Sequence, residues 1–318
     1  MTENLPSYAQ TVIIGGGSIG ANTAYPQTKL GHRDVVVVEQ GQLTLGTTLH
    51  AVGLIVAGLL KSKAECAIYT QGRALYAIVE KETGIPTGFR DVGYLQIATI
   101  EERLHEMRRA AAFMRHFGIN NQETSVREAQ EMSPIGDLSN VTGAFLIPED
   151  GRANPVDVTM SLATGACKGG TRFFDKTLVV KILARNGTAT GVRTADGRTL
   201  TAENVVICAG MWSRQLGAAH GVNLPLQAAQ HDYLISEAIP FLPRNLPVLE
   251  DTSTHTYYRE EVGGLMLGVF ELGWRRESLS ASRTPVYSVR STLTGNGWAT
   301  IWKRPTCDSH IGRIAPPI

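Results

Sequence analysis

The stretch that most restricts the possible folds is Thr11-Val12-Ile13-Ile14-Gly15-Gly16-Gly17-Ser18-Ile19-Gly20. Four apolar or β-branched residues in a row predict a buried strand, and the glycines then turn it directly into a helix. A Gly-x-Gly-x-x-Gly turn meets three needs at once. Gly15 allows a tight reversal, Gly17 lets the backbone approach a pyrophosphate, and Gly20 lets helix and strand pack closely. The pyrophosphate belongs at the helix N-terminus, where N–H groups without helical partners and the dipole favour negative charge. A second apolar run, Val35-Val36-Val37-Val38, ends in Glu39, 19 residues beyond Gly20. A carboxylate there can accept hydrogen bonds from the ribose hydroxyls of an adenosine. Strand, turn, helix and acid together predict a dinucleotide site in a βαβ unit, and they leave NAD and FAD both open.

Composition narrows the class. A chain of 318 residues holds two domains or one large interleaved α/β unit. Its 43% hydrophobic and 19% charged residues describe an ordinary soluble globular protein. A net charge of +1 gives no reason to expect nucleic acid or an anionic membrane as partner. No apolar run approaches the roughly 18 residues of a membrane span. The opening Met1-Thr2-Glu3-Asn4-Leu5-Pro6-Ser7 has neither a basic-then-apolar leader nor an Arg-rich presequence, so a cytoplasmic location is expected. Cys66, Cys167, Cys208 and Cys307 show no CxxC or metal-ligand spacing. Reduced, mostly buried thiols and no metal site are therefore expected.

Along the chain, the first helix is predicted over residues 18–30, with Pro26 well inside it. That ring removes a bond to the Asn22 carbonyl and costs about 3 kcal/mol or a kink, so a bent or damaged helix is expected. The loop Gly46-Thr47-Thr48-Leu49-His50-Ala51-Val52-Gly53-Leu54 is too rich in Gly and Thr to start a helix, and it suits contact with a flat ring. His50 within it is either a satisfied loop residue or chemically engaged. Helices are predicted at residues 63–83, 101–117, 126–132 and 155–168, the last with Pro155 at its first position. Strands are predicted at 91–99, 142–147, 178–184, 191–194 and 205–209, with turns at Asn186-Gly187 and Asp196-Gly197. The run at 205–209 is continuously apolar, which predicts burial on both faces and a close approach of its end to a ligand. It supplies a second half of the nucleotide sheet about 170 residues after the first, so the region between is inserted or interleaved. Residues 224–235, 256–259 and 264–270 read as strands of that second unit.

Several motifs recur in order: residues 11–20, Glu39-Gln40, the 46–54 loop, Asp150-Gly-x-x-Asn154-Pro155-Val156-Asp157, residues 205–212, Gln230-His231-Asp232-Tyr233 and Tyr257-Tyr258-Arg259-Glu260. Over residues 1 to about 272 the chain resembles the dimethylglycine/sarcosine dehydrogenase branch of the D-amino-acid-oxidase-like flavoproteins. The resemblance implies an α/β fold, a Rossmann-like FAD-binding domain with an interleaved antiparallel-sheet substrate domain. The implied division is residues 1–85 and 149–220 for the FAD domain, and residues 86–148 and 221–273 for the substrate domain. It selects FAD as the dinucleotide. It further implies that Gly15, Gly17, Ser18, Ile19, Gly20, Glu39, Gln40, Thr47, Thr48, Leu49, His50, Leu54 and Val179 bind the cofactor, with His50 joined covalently to the flavin. Leu49, where tryptophan is usual, and Val52, where alanine is usual, depart from the pattern. His231 and Tyr257 match the histidine and tyrosine near the flavin face and are the implied catalytic residues. Each has a structural alternative, as a strand histidine with a backbone partner and as one of a core aromatic pair.

The implied reaction is oxidative N-demethylation of an N-methylated glycine, dimethylglycine or sarcosine, with electrons passed to a protein carrier or to oxygen. Residues 274–318 break the pattern: they hold 7 Lys/Arg against 2 Asp/Glu, and three of the four tryptophans. The segment that closes over the flavin in the family is not recognisable there, and an out-of-frame end would explain the change in composition. Two other readings remain in view. The chain is a truncated remnant that binds nucleotide weakly or not at all, or it has the same fold and acts on another amine or a hydroxy acid.

Overall fold

In the computed structural model, which describes residues 4–229 and 231–270, the apolar run before the glycines is a strand, β1 (Tyr8–Ile14). It leads through the glycine turn into helix α1 (Ser18–Lys29) and then strand β2 (Val35–Val38). β1 and β2 run parallel, with Val12 opposite Val36 and Ile14 opposite Val38. Val36 and Val37 point to opposite faces and both are fully buried. Each such side chain contributes about 1.5–3 kcal/mol of burial.

A short strand, β3 (Leu54–Ile55), follows, then helix α2 (Lys63–Thr83), whose N-cap Ser62 accepts from the Glu65 backbone N–H. Next come β4 (Tyr94–Ala98), α3 (Glu101–His116), β5 (Gln122–Thr124) and α4 (Val126–Met132). After them come β6 (Gly143–Ile147), the short β7 (Gly151–Arg152) and α5 (Pro155–Lys168). Asn154 caps α5 by accepting from the Val156 and Asp157 N–H groups, and Pro155 occupies the position where its missing N–H costs nothing. The strands β8 (Arg172–Phe174), β9 (Val179–Arg185), β10 (Thr188–Thr194) and β11 (Thr199–Ile207) then return to the first sheet. A 3-10 turn (Gly210–Trp212) leads into α6 (Ser213–Ala218). The last described strands are β12 (Tyr233–Ile235), β13 (Val248–Asp251), β14 (Thr256–Glu261) and β15 (Gly264–Val269).

Two large sheets result. The first has six strands in the order β8-β2-β1-β11-β10-β9, parallel at its centre and antiparallel across β9–β11. The second has seven, in the order β12-β15-β14-β13-β4-β6-β5, antiparallel except for the parallel pair β13–β4. β3 and β7 form a small two-stranded sheet. One face of the six-stranded sheet packs on α1 and α5 through Ile13, Val35, Val37, Ala21, Ala24, Leu162 and Ala166. One face of the seven-stranded sheet closes a separate core of Leu95, Ile97, Leu249, Tyr258, Leu265 and Leu267. Because side chains alternate along a strand, its other face carries Tyr94, Gln96, Glu250, Tyr257 and Arg259.

Four expectations change. Helix α1 runs unbroken through Pro26. Pro26 and Asn22 both lie on the exposed side, so the carbonyl released by the proline is solvated while Ala21, Ala24 and Tyr25 hold the opposite side in the core. Residues 205–207 are half-buried rather than buried on both faces, and Cys208 and Ala209 beyond them form the wall of a cavity. The strand predicted over 224–235 contracts to β12, the part of that stretch that pairs as a strand, with β15. Of the described cysteines Cys66 is buried, Cys208 half-buried and Cys167 exposed, all as free thiols, so mostly buried thiols are not what forms. No helix among the described residues is long and apolar enough to cross a membrane, and no three His, Cys, Asp or Glu among them are grouped to hold a metal. The expectations for Gln230, Cys307 and residues 271–318 fall outside the described residues.

Candidate functional site

The glycine turn is built from backbone, and every glycine of the motif has a specific neighbour. Gly15 has φ +114°, a region that disfavours any side chain, and a Cβ there would overlap the Cys208 carbonyl oxygen. The turn is pinned from both sides: the Gly15 N–H donates to the Val38 carbonyl (2.8 Å) and the Cys208 N–H donates to the Ile14 carbonyl (2.8 Å). A Cβ on Gly20 would overlap the Gly15 carbonyl oxygen, and one on Gly17 would stand 2.9 Å from Thr48 Oγ1. The motif therefore forms a cradle that side chains would fill.

Glu39 stabilises that cradle. Its Oε2 accepts from the Gly16 N–H (2.8 Å) and its Oε1 from the Gly41 N–H (2.9 Å). Each carboxylate oxygen keeps a second lone pair for a ribose hydroxyl. The Ser18 N–H donates to Thr48 Oγ1 (3.0 Å), so the 46–54 loop is tied to the start of α1.

A cavity of about 440 Å³ opens above these groups. Its wall includes Gly15, Gly17, Ser18, Ile19, Glu39, Gln40, Thr47, Thr48 and Val179, which the fold brings together from four separate segments. Gly20 lies beneath the turn and sets its packing rather than the wall. Leu49 and His50 stand outside the wall and are exposed; Leu54 lies on β3, half-buried against the cluster around Tyr94. Sequence reasoning missed the far wall, Thr177, Leu178 and Val180 before and on β9, and Trp212, Gln215, Leu216 and Ala219 along the 3-10 turn and α6. The small residues Ala209-Gly210 ahead of Trp212 were its one sequence signal. An FAD fits this donor set: a glycine cradle without Cβ atoms for the pyrophosphate, an acid beside it for the ribose, and a largely apolar wall beyond, with Leu178, Val179, Val180, Trp212 and Leu216.

The predicted catalytic pair meets in space. His231 Nε2 and the Tyr257 hydroxyl share a hydrogen bond of 2.9 Å. Phe270 packs against both rings, at 5.3 Å from His231 and 5.2 Å from Tyr257. Tyr257 is fully buried, and burial, then the neighbouring Tyr233, pushes its hydroxyl well above the usual phenol range. It stays protonated and able to donate. Gly268, paired with Tyr257 across β14 and β15, makes room for the ring, since a Cβ there would overlap it.

Elsewhere the two-stranded sheet is locked to the large one. The Glu260 carboxylate, 3% exposed, pairs with Arg152 on β7 and with Arg244 (2.9 Å). Asp150 is completely buried and accepts from the Tyr69 hydroxyl and from the Ala57 N–H (2.6 Å), and burial raises its carboxyl to about 6.

A family model for DAO, FAD dependent oxidoreductase, matches residues 10–294. The chain is 33% identical over 270 residues to the mitochondrial pyruvate dehydrogenase phosphatase regulatory subunit of Mus musculus, covering 84% of this chain and 30% of that protein. It is 34% identical over 269 residues to the mitochondrial dimethylglycine dehydrogenase of Rattus norvegicus, covering 83% and 31%. Among solved structures, L-proline dehydrogenase from P. horikoshii superposes with a TM-score of 0.76 at 26% identity, over 83% of this chain and 70% of that one. The chain thus spans about a third of the length of these curated relatives.

Proposed function

The chain belongs to the DAO family of FAD dependent oxidoreductases, and on that premise we propose that it takes part in oxidation of the C–H bond beside nitrogen in an N-methylated glycine, dimethylglycine or sarcosine. In this reading residues 1–85 and 149–220 hold the cofactor, and residues 86–148 and 221–273 hold the substrate. Bound FAD supplies the two-electron acceptor for that C–H bond. The protein supplies orientation, exclusion of water and control of the amine's proton, because an amine yields a hydride from the neighbouring carbon only when its lone pair is free. The observation that carries the reading is the His231–Tyr257 hydrogen bond: a histidine whose ordinary pKa lies near 6.5 beside a phenol that burial keeps protonated. Tyr257 orients the substrate's amine or carboxylate, and His231 adjusts its protonation. The oxidised substrate leaves as an iminium that water hydrolyses, and electrons pass on to a protein carrier or to oxygen.

Covalent attachment of the flavin through His50 is part of the same proposal. His50 Nδ1 lies 3.1 Å from the Gly46 carbonyl oxygen, which can only accept. The Nδ1–H donates to it, and Nε2 keeps a free lone pair for bond formation. The His50 side chain is exposed, so this lone pair is accessible.

A panel of N-methyl amino acids assayed with an artificial electron acceptor tests the substrate class, and silence with every secondary and tertiary amine sinks it. Flavin fluorescence that survives acid precipitation tests the His50 bond. A second, non-catalytic reading draws on the 33% identity to a phosphatase regulatory subunit. It predicts flavin retention without amine-dependent reduction.

A further inference from the structure

Glu250 is an acid on the polar face of the seven-stranded sheet to which the reaction above gives no role. The register puts it directly opposite Tyr257 on β14 and Gln96 on β4. Residues paired in this way project to the same face, with Cβ atoms about 5 Å apart. Across four neighbouring strands one rung therefore reads Gly268, Tyr257, Glu250, Gln96. The Tyr257 ring lies over Gly268, away from Glu250, and leaves the space above the carboxylate to other groups.

Three polar groups in this corner lack partners among the described residues. Tyr94 and Gln96, 0% and 2% exposed, have a hydroxyl and an amide nitrogen without a hydrogen-bond partner among the described residues. The half-buried Glu250 carboxylate makes no hydrogen bond or ion pair among them either. Tyr94 and Glu250 lie beneath Gly58, in the segment that continues from the His50 loop, and Gln96 shares the rung of Glu250. A Cβ on Gly58 would stand 2.7 Å from the Tyr94 hydroxyl and 3.5 Å from Glu250 Oε2. Buried donors left empty beside an empty acceptor are uncommon, since each unmade bond costs about 1–3 kcal/mol. A group that both accepts and donates completes the set: an ordered water for the buried donors, and a cationic N–H for the carboxylate that remains accessible.

We infer that Glu250 binds the ammonium group of the substrate and takes its proton. The inference rests on the amine-oxidation reading and deepens it. The N–H bond breaks, its proton forms an O–H bond on Glu250, and the electron pair stays on nitrogen, so that a cation and an anion become two neutral groups. Burial, then the adjacent Asp251, raises this carboxyl to about 7, which suits an acceptor working at neutral pH. The groups around it are Asp251 on its own strand, Tyr94 and Gln96 from β4, and Tyr257 from β14 with Arg259 two residues further on the same face. Burial lowers the Arg259 guanidinium.

The test uses the flavin-loaded chain and trimethylglycine, a permanent cation that cannot be oxidised because its nitrogen has no lone pair. Its affinity for wild type rises about tenfold from pH 6 to pH 8 as a carboxyl near 7 ionises. In Glu250→Gln, checked for equal flavin content and melting temperature, binding is weak and flat with pH. No rise in wild type, or the same rise in the variant, overturns the assignment. A parallel kcat/KM profile for dimethylglycine separates the two levels. If dimethylglycine is oxidised and the variant keeps the wild-type acid limb, Glu250 is not the acceptor and the demethylation reading stands. If trimethylglycine binding follows Glu250 but no amine is oxidised, the amine subsite stands and the turnover reading falls.

Discussion

The glycine cradle on the six-stranded sheet and the polar rung on the seven-stranded sheet place their functional atoms in opposite ways. The cradle presents backbone from six consecutive residues, 15–20, and works because side chains are absent: Gly15 and Gly20 touch carbonyl oxygens directly. The rung presents side chains from positions 96, 250 and 257, joined by His231 through the Tyr257 hydroxyl, and works because register aligns them. A backbone site fails when atoms are added, whereas a side-chain site fails when atoms are removed or shifted.

The largest expected effect is on the cradle. Gly20→Ala forces a methyl group into the Gly15 carbonyl oxygen, costing about 3 kcal/mol or more and abolishing flavin retention. Urea denaturation and the flavin-to-protein ratio read both. A tolerated alanine would erase the distinction drawn above.

Next comes the junction between the two regions. Asp150 joins the Ala57 segment and Tyr69 to the turn before β7. Its folded pKa, about 6, lies above the usual carboxylate range, so the native state holds this proton longer than the unfolded chain. The corresponding stability is fully present below about pH 4 and is lost as pH rises through about 6, roughly 2–3 kcal/mol at 1.4 kcal/mol per unit. Asp150→Asn flattens that part of the stability profile, measured by denaturation at several pH values.

Gly268→Ala examines the one position where the rung depends on an absent side chain. Its methyl group displaces the Tyr257 ring from His231, lowering kcat/KM by roughly 10²-fold at a stability cost of about 1–2 kcal/mol. The smallest change in stability belongs to His50→Ala. The side chain is exposed, so unfolding shifts by less than about 0.5 kcal/mol while the acid-stable flavin disappears.

The cradle was legible because its physics is local. A strand needs consecutive apolar residues, the turn needs glycines where Cβ atoms would collide, and helix α5 announces itself through Asn154-Pro155. Pro26 misled because its cost depends on whether the released Asn22 carbonyl meets water, which the linear pattern does not state. The 205–209 run misled because an apolar strand lining a cavity reads the same as one buried on both faces. Residues 224–235 were over-extended for want of a partner strand, and β13 was not foreseen at all. Val248-Leu249-Glu250-Asp251 is too short, and half acidic, to read as a core strand until β4 and β14 flank it.

By itself the sequence determined the dinucleotide cradle, the acid at the end of β2 and the residues available for chemistry, since each depends on neighbours within a few positions or on residue type. Tertiary structure alone decided that His231 meets Tyr257, that the cavity gains a far wall from Thr177 to Ala219, and that Glu250 shares a rung with Tyr257 and Gln96. Those contacts join positions up to about 200 residues apart, and the packing and strand register that set them result from assembling two sheets rather than from any one segment.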